Sequence, residues 1–280
     1  MHAPVSPPSE RRTISDVLRR QPEWVLSPLL LIALLAVWYA ATKWLDIPAF
    51  IIPPPLEVWD ALVSGLAKGP FDPSGFWYHT GITLWEAVLG FLLGSAVGVT
   101  IGFAVTHWKL LGRVTYPYLV GFQSLPKVAL APLLIIWFGF GIEGKVMITS
   151  VITFFPMLIN SMSGYRSVDP DRLDLARSCN ATQAQIFWKI ILPSSLPFLF
   201  AGLGVSSVLA LLGAIVGEFV GARAGLGILL MQYQQSMQIA PVFAILIILA
   251  LLGFMMNGII HLLERRYCFW AQRSLELPEA

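Results

Sequence analysis

Three charged side chains sit inside long apolar runs and are the first candidates for chemistry: Glu86, Lys127 and Glu218. Lys127 follows Pro126 near the middle of its run, too far from either interface for its amine to reach water easily. An intramembrane lysine costs about 2.5–3.5 kcal/mol on insertion scales, so it must face water, a carbonyl or an acid. Two readings stay open. One is an internal contact; the other is a translocation pathway that favours an anionic solute, lined by Ser124, Pro126 and Lys127. Glu218 is a weaker pathway candidate, because it falls near the outer end of its run, where an interfacial position is equally open.

Other chemistry has no visible machinery. Gly139–Val146, GFGIEGKV, matches G-x-x-x-x-G-K but ends in Val where a phosphate loop needs a magnesium-binding Ser or Thr. No strand pattern precedes it, so it reads as a tight turn and the chain is not expected to bind ATP. Neither H-E-x-x-H nor G-x-S-x-G is present. The four histidines, His2, His79, His107 and His261, fall near the terminus or at the ends of apolar runs, which favours interfacial roles over metal binding. Cys179 and Cys268 form no metal-ligand pattern. The reading is a non-enzyme without metal or cofactor.

The longest polar stretch inside the apolar region is DRLDLARSCNATQAQIFWKIILP, Asp171–Pro193. Asp169 suits a helix N-cap, Pro170 the first helical position, and Asp171 the positive end of the helix dipole. Asn180 tolerates the left-handed conformation that ends helices. Thr182 followed by Gln185 forms a capping box for a second helix, with Pro193 marking its end. The spacing therefore predicts a helix–turn–helix with about ten residues per arm. A ten-residue helix is only about 15 Å long and cannot span a bilayer. A loop of this length usually has a function, and its mixed surface favours docking to a protein.

The elements that must position these residues are apolar. The chain is 56% hydrophobic and 12% charged, with a mean hydropathy of +0.73. Six runs are long enough to cross a membrane, at roughly 28–45, 79–107, 114–138, 146–164, 196–220 and 240–263. The fold class is an all-α polytopic membrane protein with six transmembrane helices. Residues 1–27 form an N-terminal tail with a short helix near Ile14–Arg20. Residues 28–263 form the membrane domain, with the polar segment 165–195 inside it, and 264–280 form a C-terminal tail. Of the 18 Lys and Arg residues, only Lys43, Lys68, Lys127, Lys145 and Arg223 fall outside the segments that a cytoplasmic N-terminus would place inside. The positive-inside rule thus puts both termini in the cytoplasm. No basic stripe points to nucleic acid.

Two glycine ladders, Gly90–Gly94–Gly98–Gly102 and Gly213–Gly217–Gly221, predict bare helix faces for close packing in lipid. Pro117, Pro126 and Pro132 predict a third span kinked at each proline and placed in the bundle interior or beside a water-filled path rather than facing lipid. Leu56, Trp59, Leu62 and Val63 predict an amphipathic helix on the outer surface.

The polar block resembles the cytoplasmic signature of inner-membrane permeases of binding-protein-dependent ABC importers, E-A-A, three residues, G, nine residues, I-x-L-P. Asp174, Leu175 and Ala176 occupy the E-A-A places, Asn180 the glycine, and Ile190–Pro193 the end. Asp for Glu, Leu for the first Ala and Asn for Gly depart from it. The stretches Ser124–Lys145, Ser194–Leu203 and Gly217–Gly227 resemble the nitrate/sulfonate/taurine branch, with Glu86 where that branch often has Arg. The likeness covers about residues 28–270. It implies a type I ABC importer permease architecture in the cell inner membrane, paired with a second permease subunit, most simply as a homodimer. It further implies two partners, a separate ABC ATPase and a solute-binding protein that docks near Glu143–Lys145 and Gly221–Gly227. Asp171, Arg172, Asp174, Leu175, Ala176, Arg177, Asn180 and Pro193 would couple the ATPase to the spans. The implied solute is a small anion of the nitrate, sulfonate or taurine type. The alternative is an uncharged or cationic heterocycle such as a thiamine-precursor pyrimidine.

Overall fold

The computed structural model describes residues 23–45 and 47–272. The short helix expected near Ile14–Arg20 lies outside them, as do residues 273–280 of the C-terminal tail. Among the described residues every regular element is a helix and there are no strands. The membrane-length helices are α1 (Glu23–Trp44), α3 (Phe76–His107), α6 (Ile142–Arg166), α9 (Leu192–Gly221) and α11 (Ile239–Tyr267). Shorter elements connect them: α2 (Pro55–Leu66), α4 (Lys109–Ser124), α5 (Ala131–Phe138), α7 (Pro170–Ser178), α8 (Gln183–Ile186), α10 (Leu226–Gln235) and α12 (Phe269–Gln272).

Five spans are single continuous helices. The sixth crossing, third in chain order, is a bent pair in which α4 and the segment Lys127–Phe138 meet at 87°. This corrects the expectation of a span kinked at three prolines. Pro117 rides inside α4, and Pro132 sits in the first turn of α5, where its missing N–H is not needed. Only Pro126 coincides with a break. It forces Leu125 into the extended region, ψ 138°, and a short 3-10 turn, Lys127–Leu130, restarts the chain. Nor does α4 lie in an interior within this chain: Leu110, Val114, Tyr118 and Phe122 are all exposed.

The centre of the bundle is α6, clasped between α3 and α9. Both glycine ladders face it. A Cβ on Gly98 would lie 2.7 Å from the Phe154 carbonyl oxygen, and one on Gly102 would lie 2.7 Å from Ser161 Cβ. On the other side, a Cβ on Gly213 would lie 2.7 Å from Thr149 Cα. Hydroxyl groups then join the close faces. Ser150 Oγ donates to the Gly90 carbonyl at 3.2 Å, and Ser206 Oγ of α9 donates to the Thr153 carbonyl at 3.2 Å. Small residues and hydroxyl bonds are the forces left to hold helices together where lipid removes the hydrophobic drive. The amphipathic α2 packs Val58 and Leu62 towards α11, while Leu56, Trp59 and Val63 remain exposed on its outer face.

Candidate functional site

The polar block folds as its caps dictate. The Asp169 carboxylate accepts from the Asp171 amide at 3.0 Å, and Pro170 opens α7. At the other end Asn180 has φ +56°. The Ala181 amide donates to the Ala176 carbonyl at 3.0 Å and the Asn180 amide to the Arg177 carbonyl at 2.9 Å. This pair of bonds is the Schellman closure that a left-handed residue permits. Thr182 and Gln185 then form both bonds of the capping box, at 2.8 and 3.3 Å.

Leu173 and Ala176 tuck beneath α7 against Val168, Ile186 and Ile191. The opposite face presents Arg172, Asp174, Leu175 and Arg177. Asp174 and Arg177 are paired at 2.8 Å, with both side chains well exposed. Leu175 points outward and is 68% exposed. A largely uncovered leucine thus lies between charged side chains on a capped nine-residue helix.

Pro193 does not end the second arm, contrary to the expectation. The helix passes through a π-type turn, Phe187–Ile191, in which the Leu192 amide reaches back five residues to the Phe187 carbonyl. Pro193 therefore enters the first turn of α9 without breaking the helix, because the widened turn precedes it. The helical run from Gln183 to Gly221 has 39 residues. At 1.5 Å per residue it is roughly 58 Å long, against a hydrocarbon core of about 30 Å. The arm beneath α7 is thus a continuous helical extension of the α9 span.

At the break after Pro126, the Lys127 ammonium donates to the Gln123 carbonyl at 2.6 Å and lies 5.0 Å from the Phe155 ring centre. It therefore has the internal contact, and it also lines a cavity of about 310 Å³ with Gln123, Phe155, Ile159 and Leu212. Ser124 and Pro126 lie exposed on the same bend, with Ser124 Oγ donating back to the Val120 carbonyl at 3.1 Å.

Glu218 is elsewhere. It is 0% exposed and is spent on a latch between helices. Its two oxygens accept from Thr83 Oγ1 at 2.6 Å and from the Gly227 amide. The Leu226 amide donates to Thr83 Oγ1 at 2.8 Å, and the Gly225 amide donates to His79 Nδ1 at 2.9 Å. Three successive amides at the start of α10 are thereby satisfied by side chains of α3 and α9. An unpaired helix N-terminus would otherwise leave them orphaned. Because His79 Nδ1 accepts, Nε2 carries the proton and donates to the Pro73 carbonyl at 2.9 Å. Gly225, at φ +128°, makes the tight entry that a side chain would strain.

Next to the latch lies a buried ion pair, Lys145–Glu86, at 2.5 Å, with side chains 8% and 3% exposed. It answers the phosphate-loop resemblance: Gly139–Gly141 is a turn, and the lysine faces inward. It also removes Lys145 from the outer surface, leaving Glu143 exposed there. Glu86 is a candidate from its place in an apolar run and His79 reads there as interfacial, but the spacing does not reveal the Lys145 partner of the one or the latch role of the other. A signal was present, since His79, Thr83 and Glu86 recur at i, i+4 and i+7 on an otherwise apolar helix. Among the described residues no cluster of His, Cys, Asp or Glu is arranged to hold a metal ion.

Comparison with known proteins gives a consistent picture. Residues 90–267 match the family model described as binding-protein-dependent transport system inner membrane component. The riboflavin transport system permease protein of Chloroflexus aurantiacus is 36% identical over 247 residues, covering 87% of this chain and 89% of that one. A putative aliphatic sulfonates transport permease protein of Bacillus subtilis is 31% identical over 268 residues, covering 92% and 94%. Among solved structures, an amino acid ABC transporter crystallised with histidines superposes with a TM-score of 0.57 at 18% identity, covering 75% of this chain and 96% of that one.

Proposed function

Because the chain belongs to the binding-protein-dependent transport system inner membrane component family, we propose that its polar block couples a separate ATPase to solute import. The chain is a permease subunit of an ABC importer and not itself an ATPase. A solute-binding protein delivers the solute at the outer face, and a second permease subunit completes the pathway. In this reading α7 seats on the ATPase through Arg172, Asp174, Leu175 and Arg177. Asp171 at the dipole end of α7, Ala176 beneath it, Asn180 at its stop and Pro193 at the entry to α9 hold that face in place. The observation that carries the reading is the pair of arms: a capped, outward-facing helix packed on a continuous helical extension of a membrane span. ATP-driven closure of the ATPase would move that lever, linking two states of the nucleotide site to two states of the pathway.

The test is Asp174→Lys. Its native partner Arg177 is exposed, and a surface pair contributes only about 0–1 kcal/mol, so the variant should fold and insert. Solute-stimulated ATP hydrolysis by the assembled complex should be lost. Unchanged stimulation would overturn the docking assignment.

For the solute, the reading is a small anion of the nitrate, sulfonate or taurine type passing the cavity beside Lys127, where one ammonium is set among apolar walls. The sulfonate relative supports this choice. The apolar walls also suit an uncharged heterocycle, and the riboflavin relative gives that second reading its support. Transport by Lys127→Met separates them. Import of an anion should fall sharply, whereas unaltered import would remove Lys127 from the pathway.

A further inference from the structure

The end of the bundle that carries the polar block holds a second and larger cavity. It is open, has a volume of about 700 Å³, and is walled by Thr106 of α3, Arg113 and Tyr116 of α4, Tyr165 and Arg166 of α6, and Val168. That volume lies within the range of ordinary ligand sites, about 300–1,000 Å³.

The chemistry of its wall is one-sided. Two arginines line the space and no carboxylate does. Among the described residues, neither Arg113 nor Arg166 lies within salt-bridge distance of an acid. Tyr165 is held in place at the edge by His107, with Nδ1 and the phenol oxygen 2.9 Å apart. Guanidinium groups are planar forks that match oxyanions, and basic pockets between helices at a cytoplasmic membrane surface suit phosphate headgroups.

The cavity also touches the coupling lever. Val168 belongs to the small core that seats Leu173 and Ala176 of α7 against Ile186 and Ile191. An occupant held by Arg113 and Arg166 would tie α4 to the root of α7.

We propose that this cavity is a binding site for a phosphate-type oxyanion, held by Arg113 and Arg166. Two sources share that chemistry, the headgroup of an anionic phospholipid and a free oxyanion from solution. The assignment stands on the cavity and its charges, and its readout is binding, so it survives or fails independently of the coupling and solute readings above.

The experiment uses the intact transporter complex in nanodiscs. In one arm the discs contain phosphatidylcholine with a minor fraction of phosphatidylglycerol, and native mass spectrometry counts retained phosphatidylglycerol. In the other arm inorganic phosphate is titrated into complex held in phosphatidylcholine alone. Retention of phosphatidylglycerol without phosphate binding identifies a headgroup site, and phosphate binding identifies a free-anion site. In either case R113Q/R166Q should weaken binding by about tenfold or more, the loss expected when charge-assisted hydrogen bonds are removed. Both arginines are exposed, so the variant should assemble normally, which size-exclusion of the complex checks. Binding of neither species by the wild type, or equal binding by wild type and variant, overturns the proposal.

Discussion

Removing the amine of Lys145 should be among the most damaging single truncations in the bundle. Lys145→Met keeps the side chain as far as its ε position but strands Glu86, whose side chain is 3% exposed and has a second oxygen already lacking a hydrogen-bond partner. At this depth solvent does little to screen the loss. Breaking one partner of a buried pair costs about 3–5 kcal/mol. The upper end is limited by proton uptake, because neutralising an ordinary glutamate at pH 7 costs about 3.7 kcal/mol. The expected loss is therefore about 3–4 kcal/mol, a factor of several hundred in the folding equilibrium. Glu86→Gln combined with Lys145→Met removes both charges, and it should recover most of that loss. Equilibrium unfolding by SDS titration of the lipid-reconstituted subunit reads all three variants. A single-variant loss below about 1 kcal/mol, or a double variant as unstable as the two singles summed, would refute the reasoning.

Three further outcomes follow from the same geometry. Glu218→Ala should strand Thr83 and the Gly227 amide at about 1–3 kcal/mol for each unsatisfied group, and hydrogen exchange at Gly225–Gly227 should rise, with Glu218→Gln intermediate. Gly94→Leu should block assembly of the α3–α6 face, since even a Cβ there meets Thr153 and Ser150, whereas Gly121→Leu, which has open space around it, should be neutral in yield and thermal stability. Cys268 should resist maleimide at neutral pH and react faster as pH rises. Burial is the main cause that raises its thiol above the usual range and Glu264 adds to it, so the reactive thiolate forms only at higher pH.

How far the sequence could be read depended on whether the governing interaction was local. Asp169, Asn180, Thr182 and Gln185 act within four residues of themselves, and each cap is where its side-chain chemistry places it. The unbroken spans were legible for the same reason, because apolar length alone determines them. The glycine ladders revealed which faces pack closely but not that both face α6. Pro193 misled because its effect depends on the turn before it, and nothing in its own position announces the π-type turn at Phe187–Ile191. Pro117, Pro126 and Pro132 look alike in sequence, yet only Pro126 leaves its preceding residue extended. Glu86 and Lys145 are 59 positions apart, and Glu218 finds its partners on α3 and α10. Such pairings are properties of the packed bundle, and the polar stripe on α3 marks only one side of them.

The central claim, that α7 is a handle gripped by the ATPase, is tested most directly at Cys179, the exposed cysteine at the end of that helix. A membrane-impermeant maleimide applied to inside-out vesicles should label Cys179 readily when the permease is alone. Assembly with the ATPase subunit should protect it. Labelling that proceeds at the same rate with and without the ATPase, or that occurs only from the opposite face of the membrane, would contradict the account.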